Sequence, residues 1–280
     1  MTIKHPFITL TAIAGVIALA GCAPAPTNPT PSDTPNSPAV TLVTPGTLTV
    51  CTNIPFKPME FQDDSGAVVG FDLDMMALVA AQLGVTVTPV ETDFDQITSG
   101  AAMAAQKCDI GASAITITDA RAQAVNFSKP YFEATQGLAA KADSGITGLA
   151  DLKGKNVAVE SDTTGADYAN EYSSQYGYKV VAFDDAGAAL NAILAGRVDA
   201  CLVDLGIVTS FVNSTPGTTV ATTFSTGETY GFVAQKNDNG AALASVVNQA
   251  LDAAVTSGAY LTAYQKWIDP SATSASLPTS

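Results

Sequence analysis

Apolar and polar residues alternate along the chain in blocks of two kinds from residue 46 onward. Short runs rich in valine, isoleucine and threonine are typical of buried β-strands, and longer runs with apolar residues every three or four positions indicate helices. The predicted strands are 46–51, 85–90, 110–117, 157–160, 179–183 and 199–203. The predicted helices are 75–83, 97–106, 165–176, 186–195, 241–257 and 259–267. Strands that alternate with helices predict an α/β fold.

The pattern occurs twice, which predicts two related lobes. An aspartate lies between a predicted helix and a predicted strand at Asp109, and the same arrangement returns at Asp199. The last two helices follow the second half, and we expect them to pack on the first lobe.

Two acidic residues, Asp72 and Asp74, precede the helix that is predicted from residue 75. Paired carboxyl groups also occur at general acid–base sites, so they have a chemical interpretation as well as a structural one. Aspartate is a favoured N-cap residue, and we therefore expect Asp74 to cap this helix.

Arg121 follows the predicted strand 110–117 at a place where a helix disfavours a cation. Thr118 is a suitable N-cap, so Arg121 falls in the first turn, at the positive end of the helix dipole. Free backbone amides, a threonine hydroxyl and a guanidinium at one strand-to-helix turn can bind a carboxylate. The alternative interpretation is a solvated surface arginine.

The first part of the chain predicts export and lipidation. Residues 7–20 are apolar, too short to span a bilayer and typical of a signal-peptide core. The sequence LAGC at 19–22 resembles a lipobox, which implies cleavage after residue 21 and a lipid on Cys22; a removed signal with an incidental cysteine is the alternative. Proline, threonine and serine dominate the residues after Cys22, and we expect 22–45 to be a disordered tether. The predicted location is the outer face of the cytoplasmic membrane.

Composition excludes several classes of function. The chain has 26 Asp and Glu against 12 Lys and Arg, so its surface repels nucleic acid. Its single histidine, His5, lies in the signal segment, which excludes Ser-His-Asp and Cys-His catalysis from the mature protein. No cysteine spacing suits zinc or an iron–sulfur cluster, and we expect neither a metal nor another cofactor.

Several motifs occur in one order and at spacings typical of a known family. They are GFDLDM at 70–75, TITDAR at 116–121, NFSKPY at 126–131, DLKGK at 151–155, SDTT at 161–164, GRVDA at 196–200, VD at 203–204 and YG at 230–231. In these motifs the chain resembles the family 3 extracellular solute-binding proteins, the polar amino-acid receptors of ABC importers, across residues 45–270.

The resemblance implies a two-lobe periplasmic-binding-protein-like fold of type II, with two doubly wound sheets joined by a two-strand hinge. It assigns 46–133 and 229–270 to lobe I, 134–228 to lobe II and 271–280 to a disordered tail. It also implies a monomer that binds a free L-amino acid, passes it to a membrane permease and catalyses no reaction.

The resemblance further implies a set of ligand contacts. Arg121 and Thr116 would hold the α-carboxylate, with a backbone amide from Thr164. The carbonyl of Ala114, the Thr116 hydroxyl and the Asp204 carboxylate would hold the α-ammonium. Phe56 and Phe94 would be aromatic platforms, and Asn53 and Glu160 would face the ligand side chain, with Glu228 a further candidate.

The chain departs from the family pattern at positions that bear on the ligand. Asp162 stands where many members have glycine, and Glu160 stands where glutamine-binding members carry lysine. A carboxylate in a closed cleft disfavours an acidic ligand side chain, so we expect a basic or amide side chain.

The cysteines predict one disulfide. Cys51 ends the first strand, and Cys108 directly precedes the strand that should lie beside it in a doubly wound sheet. We therefore expect a Cys51–Cys108 bridge, with Cys201 as a buried free thiol in the other lobe.

Two other functions stay open at this point. Dehydratases acting on prephenate-like acids resemble this fold, and in such an enzyme Glu160 would be the general acid. A receptor lobe that presents its ligand to a membrane kinase is the second alternative.

Overall fold

The structure, a computed structural model, describes residues 40–279. The predicted signal segment, the predicted lipidation site at Cys22 and the predicted tether through residue 39 lie outside those residues. The strands are β1 Thr47–Thr52, β2 Phe61–Gln62, β3 Val68–Val69, β4 Thr86–Glu91, β5 Ile110–Gly111, β6 Val125–Phe127, β7 Phe132–Lys141, β8 Asn156–Glu160, β9 Lys179–Phe183, β10 Ala200–Asp204, β11 Thr218–Tyr230 and β12 Val233–Gln235. The helices are α1 Phe71–Leu83, α2 Phe94–Thr98, α3 Ala101–Ala104, α4 Asp119–Ala124, α5 Thr164–Tyr176, α6 Ala186–Leu194, α7 Leu205–Ser214, α8 Asp238–Ser257 and α9 Ala259–Trp267, with a 3₁₀ turn at Leu149–Leu152.

Two mixed sheets form the centres of two lobes. The first has the order β4-β1-β5-β12-β6, in which β1 is parallel to β4 and β5 and β12 is antiparallel to its neighbours. The second has the order β11-β7-β10-β8-β9, in which β10, β8 and β9 are parallel and β7 and β11 are antiparallel. The predicted two-lobe α/β fold of type II is confirmed.

Two long antiparallel strands connect the lobes. β7 and β11 pair from Phe132 opposite Tyr230 at one end to Lys141 opposite Thr218 at the other. An isolated bridge between Thr116 and Tyr230 ties the end of β11 to the loop after β5. The hinge strands are therefore tied directly to the loop after β5 in the first lobe.

The helix predicted from residue 75 begins four residues earlier, at Phe71, and Gly70 precedes it. A side chain at Gly70 would meet the Met59 carbonyl oxygen at 2.0 Å, and the φ of Gly70 is 143°, so the turn into α1 requires glycine. The prediction that Asp74 caps this helix is therefore wrong. Asp74 lies in the first turn and accepts hydrogen bonds from Lys266 and Trp267 instead.

Two further elements are shorter than predicted. The strand expected over 110–117 pairs only at Ile110–Gly111, because the chain turns at Ala114, whose φ is 46°. The helix expected over 97–106 divides into α2 and α3 at Gly100, whose φ is 78°. Both departures occur where the backbone adopts the left-handed conformation.

Cys51 and Cys108 form a disulfide with their Cα atoms 5.6 Å apart. It joins the end of the β1 region to the residues that lead into β5. Cys201 is a free and fully buried thiol in β10.

Both ends of the described chain pack on the folded region. Thr41 exchanges two hydrogen bonds with the Asn239 side chain, and the Val43 amide donates to Asp109. Near the other end, Leu277 packs against the core. The segments expected to be a tether through residue 45 and a tail from residue 271 thus include residues that pack on the folded part of the chain. Over residues 40–279, the helices are all too short or too polar to cross a membrane.

Candidate functional site

A small cavity of about 20 Å³ lies between the lobes. This volume has room for about one water molecule, so the cleft is nearly closed and must open before it can take up an amino acid. The cavity is lined by Phe56, Phe94, Ser113, Ala114, Thr116, Arg121, Glu160, Thr163, Thr164, Val203 and Asp204. The structure therefore brings eight of the nine residues expected to contact a ligand to one cavity.

Arg121 reaches across the cavity from the first turn of α4. Thr118 caps this helix by accepting a hydrogen bond from the Arg121 amide at 3.2 Å, as the sequence predicts. The guanidinium donates to the Thr116 carbonyl at 2.9 Å and to the Asp162 carbonyl of the other lobe at 2.8 Å. Because each terminal nitrogen carries a second N–H, one donor on each remains for an anion. The guanidinium is 5.2 Å from the Phe94 ring centroid, which places it on an aromatic face.

The loop before α5 supplies the second side of the cleft. Asp162 has a φ of 61°, in the left-handed region that glycine adopts without strain. Thr163 caps α5 by accepting from the Ala166 amide at 3.1 Å. The Thr164 hydroxyl oxygen is 3.4 Å from that of Thr116, so the two lobes meet at this point.

Asp204 ends β10 and is held by two donors. The amide of Gln136 donates to one carboxylate oxygen, and the hydroxyl of Tyr230 donates to the other. Burial raises the pKa of Asp204 to about 6, while the hydrogen bond from Tyr230 opposes this shift. Asp204 can therefore act as an anion at neutral pH and lose that charge in mild acid.

Glu160 ends β8 and is only 2% exposed. Burial, followed by the negative charges of Asp204 and Asp185, raises the pKa of Glu160 to about 8. The positive charge of Arg121 acts in the opposite direction. A cation in the cavity would favour ionised Glu160, whereas the cavity without one favours the neutral acid.

Asn53 does not line the cavity. Its side chain donates to the Thr92 carbonyl at 3.2 Å, and its backbone amide donates to the Ser113 hydroxyl at 3.0 Å. Asn53 thus supports Ser113, which does line the cavity and which the sequence did not identify.

Other polar residues near the cavity have structural partners. The Glu228 carboxylate accepts from Gln136 and from the Thr226 hydroxyl. The Lys57 ammonium lies 4.8 Å from the Phe61 ring centroid, away from the cavity. Arg121 is thus the cation that lines the cavity within residues 40–279.

Sequence reasoning missed Ser113, Thr163 and Val203 in the lining, and it missed Gln136 as the partner of Asp204. The signal for Gln136 was a polar residue directly before the apolar positions 137–140 of β7, where it is fully buried. Within the described residues, no group of three or more His, Cys, Asp or Glu side chains is arranged to hold a metal ion.

Comparison with known proteins places these features in a family. Residues 48–270 match the model of the bacterial extracellular solute-binding proteins, family 3. The chain belongs to this family. It is 35% identical over 161 residues to the lysine/arginine/ornithine-binding periplasmic protein of Escherichia coli K12, a match that covers 57% of this chain and 61% of that relative. The aligned part thus spans about three fifths of that relative's length.

Solved structures with the same fold cover more of the chain. An ancestral arginine-binding protein bound to arginine has a TM-score of 0.74 and 36% identity, over 80% of this chain and 98% of that one. A structure of an ancestral arginine-binding protein bound to glutamine also has a TM-score of 0.74. The ancestral amino acid-binding protein AncCDT-1, a precursor of cyclohexadienyl dehydratase, has a TM-score of 0.69 and 34% identity, over 79% of this chain and 95% of that one.

Proposed function

We propose that this protein captures a free L-amino acid between its two lobes and delivers it to the permease of an ABC importer. The observation that carries the proposal is the cavity between the lobes, where a guanidinium and two carboxyl groups converge. Each lobe contributes part of this site, so a bridging ligand stabilises the closed state.

The charges suit the two ends of an amino acid. The Arg121 guanidinium lies on the face of the Phe94 ring and keeps N–H donors that no acceptor among residues 40–279 uses. A ligand carboxylate would pair with these donors. Asp204 offers an acceptor for the α-ammonium, together with the Ala114 carbonyl and the Thr116 hydroxyl. A zwitterion would therefore neutralise Arg121 and Asp204 together.

The remaining charge bears on the ligand side chain. After a zwitterion has paired with Arg121 and Asp204, Glu160 is the carboxyl group left in the cavity lining. A cationic side chain would neutralise it, and an amide side chain would donate to it. An acidic side chain could bind only while Glu160 is neutral, and after Arg121 has paired with the ligand carboxylate it would find no further cation in the lining that the described residues form. We therefore assign the protein to basic or amide amino acids, such as arginine or glutamine, with Phe56 and Phe94 as platforms.

Calorimetry of refolded, ligand-stripped protein against the common amino acids tests this assignment. We expect saturable binding of one basic or amide amino acid in a one-to-one complex. Tight binding of glutamate, with arginine, lysine, histidine and glutamine silent, would overturn the role given to Glu160. Binding of sugars or peptides in place of amino acids would overturn the proposal as a whole.

A dehydratase is the second candidate function, because Glu160 is an acid of raised pKa that faces the cavity. Such a group can donate a proton to a leaving hydroxyl. The test is incubation with prephenate or arogenate. We expect no turnover, and turnover that disappears in Glu160→Gln would establish the enzyme instead.

Anchoring and delivery form the remaining part of the proposal. Lipid on Cys22 would hold the protein at the outer face of the membrane, and Cys22→Ser should release it into the medium. Deletion of the gene should abolish uptake of the labelled amino acid that calorimetry identifies. Normal uptake with a lost transcriptional response to that amino acid would indicate a sensor kinase as the partner.

A further inference from the structure

Two carboxyl side chains lie behind the cavity wall and have no part in the contacts described so far. Glu60 and Asp72 are both 0% exposed. Glu60 precedes β2, and its backbone exchanges hydrogen bonds of 2.7 and 3.1 Å with Phe56, an aromatic residue of the cavity. Asp72 lies in the first turn of α1.

Both side chains hold the same two-residue stretch of the wall. The Ser113 hydroxyl donates to Glu60 Oε1 at 2.9 Å, and the Ala114 amide donates to Asp72 Oδ2 at 2.9 Å. The Tyr131 hydroxyl donates to Asp72 Oδ1 at 2.6 Å. Since Ser113 and Ala114 both line the cavity, the two acids determine the shape of its wall.

The second carboxyl oxygen of Glu60, Oε2, is buried and receives no hydrogen bond from these donors or from any other in the described part of the chain. The two acids lie close together, because they bind the adjacent residues Ser113 and Ala114 and the Asp72 amide donates to the carbonyl of Met59, the neighbour of Glu60. Two carboxylates cannot hydrogen-bond to each other, so a hydrogen bond between these two side chains requires that one of them is protonated.

No cation among residues 40–279 compensates the pair. The ion pairs of the described chain involve Lys129, Lys155 and Lys266, each with another aspartate. Burial, followed by the charge of Asp72, raises the pKa of Glu60 well above its ordinary value. Burial raises the pKa of Asp72 to about 6, against the hydrogen bonds from Ala114 and Tyr131.

We propose that Glu60 is a neutral carboxylic acid at neutral pH, that it donates its proton from Oε2 to the Asp72 carboxylate, and that this acid pair positions Ser113 and Ala114 for the ligand. The positioning role rests on the proposed function, because it concerns the wall of the same cavity. Glu60 and Asp72 are positioning residues and do not touch the ligand.

The conformation of Ala114 explains why positioning is needed. Its φ of 46° lies in the left-handed region, which a residue with a Cβ adopts only when its surroundings hold it there. Asp72 supplies that hold through the Ala114 amide. The turn presents the Ala114 carbonyl, which is expected to accept a hydrogen bond from the ligand ammonium.

The other titratable groups that face the pair are Glu160, Tyr131, Tyr230 and Tyr260. Burial raises the pKa values of the three tyrosines, which therefore stay neutral. Glu160 is the remaining group near the pair whose charge can change near neutral pH. The variant Glu160→Gln removes this second titration from the test.

The test compares Glu60→Gln with Glu60→Met in full-length protein that carries Glu160→Gln. Glutamine keeps an acceptor for Ser113 and a donor for Asp72, whereas methionine has a similar length and provides neither. Glu91→Gln, at an exposed position in β4, is the matched control. Circular dichroism verifies that each variant is folded.

Infrared spectroscopy at neutral pH should show the carbonyl stretch of a protonated carboxyl that persists in Glu91→Gln and is lost in Glu60→Gln. The affinity for the amino acid identified by calorimetry should change less than about twofold in Glu60→Gln and fall about tenfold or more in Glu60→Met. Absence of the band, or equal affinity losses in the two Glu60 variants, would overturn the inference. If the unmodified protein binds no amino acid, the proposed function fails, but the infrared band still tests the protonation of Glu60.

Discussion

The Tyr230 hydroxyl donates a hydrogen bond to the Asp204 carboxylate and so connects the hinge to the cavity. Tyr230 ends β11, one of the two strands between the lobes, and Asp204 ends β10 in the second lobe. This contact lowers the pKa of Asp204, which burial raises. Hinge geometry and the charge of a candidate ligand contact are therefore linked through one hydrogen bond.

Tyr230→Phe should weaken amino-acid binding in a pH-dependent way. Without the donor, the pKa of Asp204 should rise above about 6, so the carboxylate should be lost at higher pH than in the parent protein. The affinity measured by calorimetry should fall as the pH is lowered. The midpoint of this fall should lie at a higher pH in Tyr230→Phe than in the parent protein. Tyr172→Phe, on α5 and outside the cavity lining, is the control. An unchanged midpoint in Tyr230→Phe would contradict the coupling.

Arg121→Ala should abolish most of the affinity. A ligand carboxylate left in the closed cleft without its cation costs about 3–5 kcal/mol, which corresponds to a loss of more than a hundredfold. Thermal unfolding should change little, because the guanidinium bonds only to backbone carbonyls of the cleft. Arg197→Ala removes a guanidinium that packs on Phe183 outside the cavity and should bind like the parent. Parent-like affinity in Arg121→Ala would refute the assignment.

Arginine binding should release a proton from Glu160. The pKa of Glu160 is raised to about 8 in the unliganded cleft, and a bound guanidinium requires the ionised form. Affinity for arginine should therefore rise with pH up to about 8, by no more than about tenfold per pH unit. Calorimetry in buffers of different ionisation enthalpy measures the proton directly.

Two controls isolate this effect. Glu160→Gln should remove the dependence on pH between neutrality and about 8. Citrulline has a neutral group in place of the guanidinium, and its binding should not change over that range. The same slope for arginine and citrulline would argue against a charge contact with Glu160.

Thiol counting should separate the cysteines. Denatured, unreduced protein that lacks Cys22 should show one free thiol, from Cys201, because Cys51 and Cys108 are bonded to each other. Cys201→Ser should remove the signal. A count of three thiols would refute the bridge. Replacing Cys51 and Cys108 by serine should lower the free energy of unfolding by about 2–4 kcal/mol.

Local sequence signals predicted much of the fold. The bounds of α9 and β9 agree with the sequence prediction, because both segments have a clear period and turn residues at their ends. The cap at Thr118 also agrees with the prediction, since its geometry depends on neighbours in the sequence. Such features need no knowledge of distant contacts.

Features that depend on distant contacts were predicted less well. The start of α1 at Phe71 is fixed by the packing of Gly70 against Met59, which no helical period reveals. Glu60 from a loop and Asp72 from a helix bind the adjacent residues Ser113 and Ala114 behind the cavity wall. The resemblance to the family identified most of the cavity residues, but it placed Asn53 in contact with the ligand, whereas the structure uses it to support Ser113.

The most direct test of the central claim is a calorimetric titration of ligand-stripped protein with arginine, glutamine and glutamate in parallel, at a pH near 8 where Glu160 can ionise. The charge arrangement of Arg121, Asp204 and Glu160 predicts one-to-one binding of arginine or glutamine, with glutamate weaker by about a hundredfold or more. Glutamate that binds as tightly as arginine and glutamine, or more tightly, would contradict it.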